Sequence, residues 1–203
     1  MVCFTSRIAN VKGETMLKPM FLGTALAVAL SCQAIAGPLQ DKAAEAEAAL
    51  DAGKGGEAIS LMREALFDVW SKATISIPTA LFVMAPADGF GIYKPREDAA
   101  FGADEPLRIY LEPVGFDWKQ QDGLFTSLLT VDFDLASPDG KVLAGQKGFG
   151  RFDFKSHVPN TEYMANLTLN VSGAPAGDYV LELTVNDEFS GNSAKVRMPF
   201  SIK

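Results

Sequence analysis

Hydrophobic positions along this chain change their period once. Between residues 38 and 72 they recur at helical spacing, and from about residue 79 they alternate with polar ones, as in strands. Leu39 to Ala52 (LQDKAAEAEAALDA) is rich in alanine and glutamate, strong helix formers, and Gly53-Lys54-Gly55-Gly56 interrupts it. Glu57 to Lys72 then places Ala58, Leu61, Met62, Ala65, Leu66, Val69 and Trp70 on one apolar stripe. The two segments predict an αα-hairpin. It has the rhythm of a single tetratricopeptide-style unit, a kind of unit that cannot bury its own face without neighbours. Its second helix is expected either to pack on the rest of the fold or to serve as a partner-docking arm. Ile75-Ser76-Ile77-Pro78 predicts an extended linker, because proline disfavours helix in the residue before it.

Strand-like segments follow at roughly 79–84, 89–94, 106–114, 124–136, 141–155, 161–171, 177–187 and 194–202. Turn chemistry separates them, as in Pro86-Ala87-Asp88-Gly89, Ser137-Pro138-Asp139-Gly140 and Ser190-Gly191-Asn192. Many short strands with such turns predict an all-β sandwich or barrel. Alternation assigns the faces. Leu107, Ile109 and Leu111 point to a core, with Arg108, Tyr110 and Glu112 outward. Val131, Phe133 and Leu135 point inward, with Asp132 and Asp134 outward. Tyr179, Leu181, Leu183 and Val185 meet Val196, Met198, Phe200 and Ile202, which sets Glu182 and Thr184 against Lys195 and Arg197 on the wet side. One dry and one wet face per strand is what a sandwich requires.

Tyr179 opens the strand GDYVLELTVND directly after a glycine-containing turn. That is the place of the tyrosine corner in immunoglobulin-like sandwiches, where the ring enters the core and the hydroxyl reaches back to the preceding loop. The cysteine pair and core tryptophan of antibody domains are absent, so the resemblance is to the wider immunoglobulin-like or fibronectin-like class. Residues 177–202 resemble the final hairpin of uncharacterised bacterial exported sandwich domains, and Phe101 to Glu112 resembles an earlier segment of the same group. The resemblance spans residues 88 to 202 and implies an immunoglobulin-like antiparallel β-sandwich; it brings no activity and no functional residues.

The front of the chain has a different purpose. Residues 19–36 (PMFLGTALAVALSCQAIA) read as a secretory signal: Lys18 is the positive flank, Phe21 to Leu30 the apolar run, and Ala34-Ile35-Ala36 the cleavage signal before Gly37. The run is too short to span a bilayer comfortably, so no membrane insertion is expected after cleavage. Cys32 offers lipidation as an alternative, but Ala29 stands where a lipobox wants leucine. Residues 1–15 are polar and mixed, and translation from Met16 would give a compact signal sequence. Lys12-Gly13-Glu14 is encodable by a purine-rich stretch like a bacterial ribosome-binding site. The expected layout is a signal-peptide region at 1–36, a helical hairpin at 37–74 and a β-sandwich domain at 75–203, in a periplasmic or secreted bacterial protein.

Charge narrows the partners. Removing Arg7, Lys12, Lys18 and Glu14 from 18 basic and 25 acidic residues leaves 15 and 24, a net charge of −9 for residues 37–203. That acidity argues against nucleic acid and anionic membrane surfaces. Both cysteines precede Gly37, so the mature chain has no disulfide and no thiol nucleophile.

No G-x-S-x-G, P-loop or H-E-x-x-H occurs, and the single histidine, His157, sits in a polar loop before proline. No catalytic residues and no cofactor are expected. Asp132 and Asp134, with Asp153 on a neighbouring strand, read either as oxygen ligands for calcium or as a solvated strand face. The aromatic constellation is richer. Tyr93, Arg96, Glu112, Phe116 and Trp118 are the candidate partner-binding residues, around the polar loop GFDWKQQDG. Aromatic rings beside charge are what interfaces use; the same rings could instead cover one end of the sandwich. The expected function is an exported, non-enzymatic protein-interaction module of the bacterial cell envelope, working through the hairpin or the aromatic loop. The alternative is a small-ligand or glycan-binding protein using the Trp118 end.

Overall fold

A computed structural model describes residues 37–203; the expected signal-peptide region, Cys32 and the expected start at Met16 lie outside the described residues. Helix α1 (Pro38–Asp51) carries proline in its first turn, where a missing N–H costs nothing. It ends in a Schellman closure. Gly53, at φ +73°, lets the Lys54 N–H donate to the Ala49 carbonyl at 2.8 Å and its own N–H donate to Leu50 at 2.9 Å. Helix α2 (Gly55–Trp70) follows at once. The two helices meet through small side chains, Ala46 and Ala49 against Ala58, with Leu61 at the margin. Alanine allows close approach of the axes but buries little apolar area.

Trp70 anchors the hairpin to the strands. Its indole Nε1–H donates to the Phe116 carbonyl at 2.7 Å, and the two rings meet edge to face at 5.1 Å. The chain leaving α2 passes so close to Gly115 that a Cβ there would lie 2.9 Å from the Thr74 oxygen. Gly115 also holds φ +72°, so both space and conformation require glycine.

Strand β1 (Ser76–Phe82) begins inside the expected linker, so residues 76–78 are strand. Pro78 is tolerated because β1 is the edge of its sheet and its register slips between Ser76 and Thr79. The small sheet runs β1-β3-β7, with β3 (Leu107–Val114) central and β7 (Ala165–Leu169) beyond it. The larger sheet runs from β2 (Ala100–Phe101) through β9 (Ser193–Ile202) and β8 (Gly177–Asp187) to β5 (Leu124–Ala136). Short β4 (Lys119–Gln121) and long β6 (Val142–Ser156) also pair β5. Phe125 pairs both Gln120 and Ser156, so β4 and β6 occupy opposite edges of β5. All pairs are antiparallel except β2 with β9.

The chain is mainly β, with two helices ahead of two sheets whose inner faces share one core. Ile109 and Leu111 of β3 and Leu167 of β7 meet Val131 of β5 and Leu181 and Leu183 of β8 there. Tyr179 stacks on Phe200 at 5.6 Å, and its hydroxyl donates to the Pro175 carbonyl at 2.7 Å, back in the preceding turn. On the wet side Lys195 reaches Glu182 at 2.9 Å and Arg197 reaches it at 3.9 Å, as cross-strand register predicts.

Three expectations from alternation need correction. Residues 89–94 are not a strand; they tip an excursion from 83 to 95 that folds back over the outer face of the small sheet. Met84 N–H donates to Lys94 at 3.0 Å, and the Asn166 side chain clamps both the N–H and the carbonyl of Ala87 at 2.9 Å each. This cover buries Tyr110, expected outward, in a second small core with Val83 and Ala87. Asp132 lies on the outer face but is buried. Its carboxylate accepts from Gly148 N–H at 2.8 Å and Lys147 Nζ at 3.0 Å, pinning the bulge where the β5–β6 register shifts. Asp153 stands opposite Leu128, well along the strand from Asp132, so the three aspartates do not converge on a calcium site. Among the described residues no group of three or more His, Cys, Asp or Glu could hold a metal.

Candidate functional site

The five residues singled out from sequence fall in three places. Tyr93 lies over Tyr110, ring centroids 4.3 Å apart, and the Tyr110 hydroxyl donates to Glu112 at 2.6 Å while accepting from Gly91 N–H at 2.8 Å. Burial, reinforced by the Glu112 carboxylate, pushes the Tyr110 hydroxyl pKa up to about 12. This trio fastens the 83–95 excursion to β3.

Arg96 is fully engaged elsewhere. Its guanidinium donates to Glu105 at 2.5 Å and 3.3 Å and to the Ala100 carbonyl at 2.6 Å, and it lies 4.2 Å from the centre of the Phe101 ring. Arg96 and the Gly102 N–H together hold Glu105 below the usual carboxylate range. These bonds staple the loop between residues 96 and 105 and leave Arg96 little freedom to receive a ligand.

Phe116, expected in a polar surface loop, is fully buried. Trp118 is half-buried, tilted on Phe116 at 5.2 Å and edge-on to Phe154 at 6.0 Å. Tyr163 closes the cluster from the other side at 5.2 Å from Phe116. The loop GFDWKQQDG thus turns its two large rings inward, because the hairpin and residue 163 supply partners that the local sequence does not reveal.

The site that the strand pattern did not indicate is on the hairpin. Helix α2 has two apolar sides rather than one. Ala58 and Ala65 are buried towards α1, and Trp70 is buried against the sheets. Ile59, Met62, Leu66 and Val69 stand between 46% and 55% exposed. Their spacing of three, four and three residues is that of a helix–helix seam. Leu39 and Leu50 of α1 are exposed as well. The signal for this was present in the α2 stripe, whose seven residues are too many for one facing helix to cover.

The side of the hairpin that carries Lys42 is more polar. Lys42 of α1 reaches Asp68 at 3.0 Å and Glu64 at 3.4 Å on α2. The hydrogen bond to Asp68 is the main cause that raises its ammonium pKa above the ordinary value. Beside this pair, Arg63, Phe67 and Asp68, together with Leu66 at the edge of the exposed seam, face Val158, Asn160 and Glu162 across a groove of about 590 Å³. Among the described residues no helix is long and apolar enough to cross a membrane.

No family model matches the chain, and no curated protein matches it. Among solved structures, the C-terminal domain of Wzt is similar at 13% identity, over 66% of this chain and 76% of that one, with a TM-score of 0.40. A superoxide reductase (neelaredoxin) from Ignicoccus hospitalis is similar at 12% identity, over 63% and 82%, with a TM-score of 0.34. The CARDB domain of a Pyrococcus furiosus protein, in complex with di-metal ions, is similar at 13% identity, over 64% and 86%, with a TM-score of 0.30. All three are distant, and their names differ too widely to single out an activity.

Proposed function

We propose that this chain is an exported, non-enzymatic protein-interaction module of the bacterial cell envelope, periplasmic or secreted, in which an immunoglobulin-like sandwich carries the helical hairpin as its docking arm. The observation that carries the reading is the exposed seam Ile59, Met62, Leu66 and Val69. Four large apolar side chains at helix–helix spacing, on an element tied to the sheets mainly by its last residue, form an unmatched interface. The partner is another envelope protein that lays a helix on this seam. The Tyr179 hydroxyl bond and the two-sheet core support the immunoglobulin-like assignment of the strands.

A photo-reactive residue at position 62 of the tagged chain, in living cells, tests this. One dominant envelope protein among the adducts, lost when residues 37–72 are deleted from a still-folded chain, is the expected result. Adducts that survive the deletion, or a partner captured only from positions 115–123, would remove the hairpin from the function.

A further inference from the structure

The docking reading leaves open what kind of helix fits the seam, and the charges around it decide this. Residues 37–72 hold seven carboxylates and four cations. Lys42 is drawn to Asp68 and Glu64, and Lys54 pairs Glu57 at 3.1 Å, so α2's carboxylates are largely answered. Those of α1 are not. Glu47 and Asp51 are one turn apart and exposed on α1, with Glu47 one turn before exposed Leu50. Neither has a cation within ion-pair distance among the described residues. Asp41 and Glu45 extend the negative charge along the same helix. The only cation within α2 is Arg63, which lines the groove facing residues 158–162.

We propose that the occupant of the seam is a basic amphipathic helix of the partner protein, with leucine-like residues on Met62 and Leu66 and lysine or arginine beside Glu47 and Asp51. This rests on the docking reading above. A second copy of the chain satisfies the apolar requirement but not the electrostatic one. It would set against each other two hairpins that each hold three more carboxylates than cations, on molecules that each carry a net charge of −9 over residues 37–203. Opposite-charge rims also fix which side of the incoming helix meets α1, and so its register.

The test uses residues 37–203 with two peptides that share one leucine heptad seam, one flanked by lysine and the other by glutamate. The lysine peptide is expected to bind at least about tenfold more tightly. The preference should shrink as added salt shortens the Debye length from about 10 Å to about 3 Å. The double variant Glu47→Lys, Asp51→Lys should reverse it. Met62→Glu, checked for folding by circular dichroism, should abolish binding of both peptides. Equal affinities, or a preference for the glutamate peptide, overturn the proposal. So does a dimer in sedimentation that Met62→Glu dissociates, which would make the occupant a second copy. If adducts from position 62 form in cells but map to an acidic or extended segment, this inference falls while the docking reading stands. If no adducts form and neither peptide binds, both fall.

Discussion

The sheets and the hairpin bury different residues for different reasons. Between the sheets lie Phe116, Leu107, Leu129 and Leu181, all at most 1% exposed. Between the helices lie alanines. Of the twelve large hydrophobic residues exposed among the described residues, six belong to the hairpin, which is a small part of the chain. Each is already about half-buried, so covering the rest would be worth about half of the roughly 1.5–3 kcal/mol that full burial of such a side chain brings. The sheets therefore bury their largest side chains against one another, whereas the hairpin is held together by small ones and leaves its large apolar groups on the surface. A core element stabilises the fold through its large side chains, and an interaction element uses small ones to hold itself together.

The sharpest way to break this comparison is at the seam between the two regions. Phe116→Ala removes a fully buried ring that touches Trp70, Trp118 and Tyr163. It should cost about 3–5 kcal/mol and lower the denaturation midpoint of helices and strands together. Trp70→Ala removes only the anchor, and about 3 kcal/mol of hairpin docking with it. Circular dichroism should then show the helical signal melting first while the strands melt near their original temperature. A single transition displaced as far as in Phe116→Ala would make the hairpin part of the sheets' cooperative unit.

Alkaline pH probes the sheets by another route, because the tyrosines all lie outside residues 37–72. Burial pushes Tyr163 up to about 12, with the Asp153 charge adding to it, and Tyr110 is raised to the same value. An unfolded tyrosine ionises near about 10. The contribution of these two hydroxyls is therefore complete below about pH 10 and is lost as the pH climbs towards about 12. Denaturant midpoints across that window should fall for the wild-type chain and fall less steeply for Tyr163→Phe. The smallest effect belongs to Tyr179→Phe, which removes one hydrogen bond to Pro175 and should cost about 1 kcal/mol. A midpoint unchanged by that substitution would strip Tyr179 of its role in closing the turn.

What could be read from the residues follows from the range of the interactions. The helices, the Gly53 break and the Glu182–Lys195 pairing are local or period-two effects, and each was legible. Tyr179 was legible too, since a turn and a strand start are both short-range signals. Tyr110 was not. Alternation gives the side of the sheet but not whether a segment twenty residues away covers that side. Phe116 and Trp118 failed for the same reason: a polar loop conceals rings whose partners, Trp70 and Tyr163, are distant in sequence. The apolar stripe of α2 showed seven residues on one arc, but only the position of α1 divides them into a buried part and an exposed seam.

The indole anchor has an optical consequence. The chain has two tryptophans, Trp70 and Trp118, and both rest on the Phe116 ring, at 5.1 Å and 5.2 Å. All of the indole emission of the protein therefore originates at the joint between arm and sheets. Release of the arm exposes Trp70 to water and shifts that emission to the red, while unfolding elsewhere leaves it unchanged until the joint itself gives way. The molecule carries its own gauge of whether the arm is seated, readable without a label.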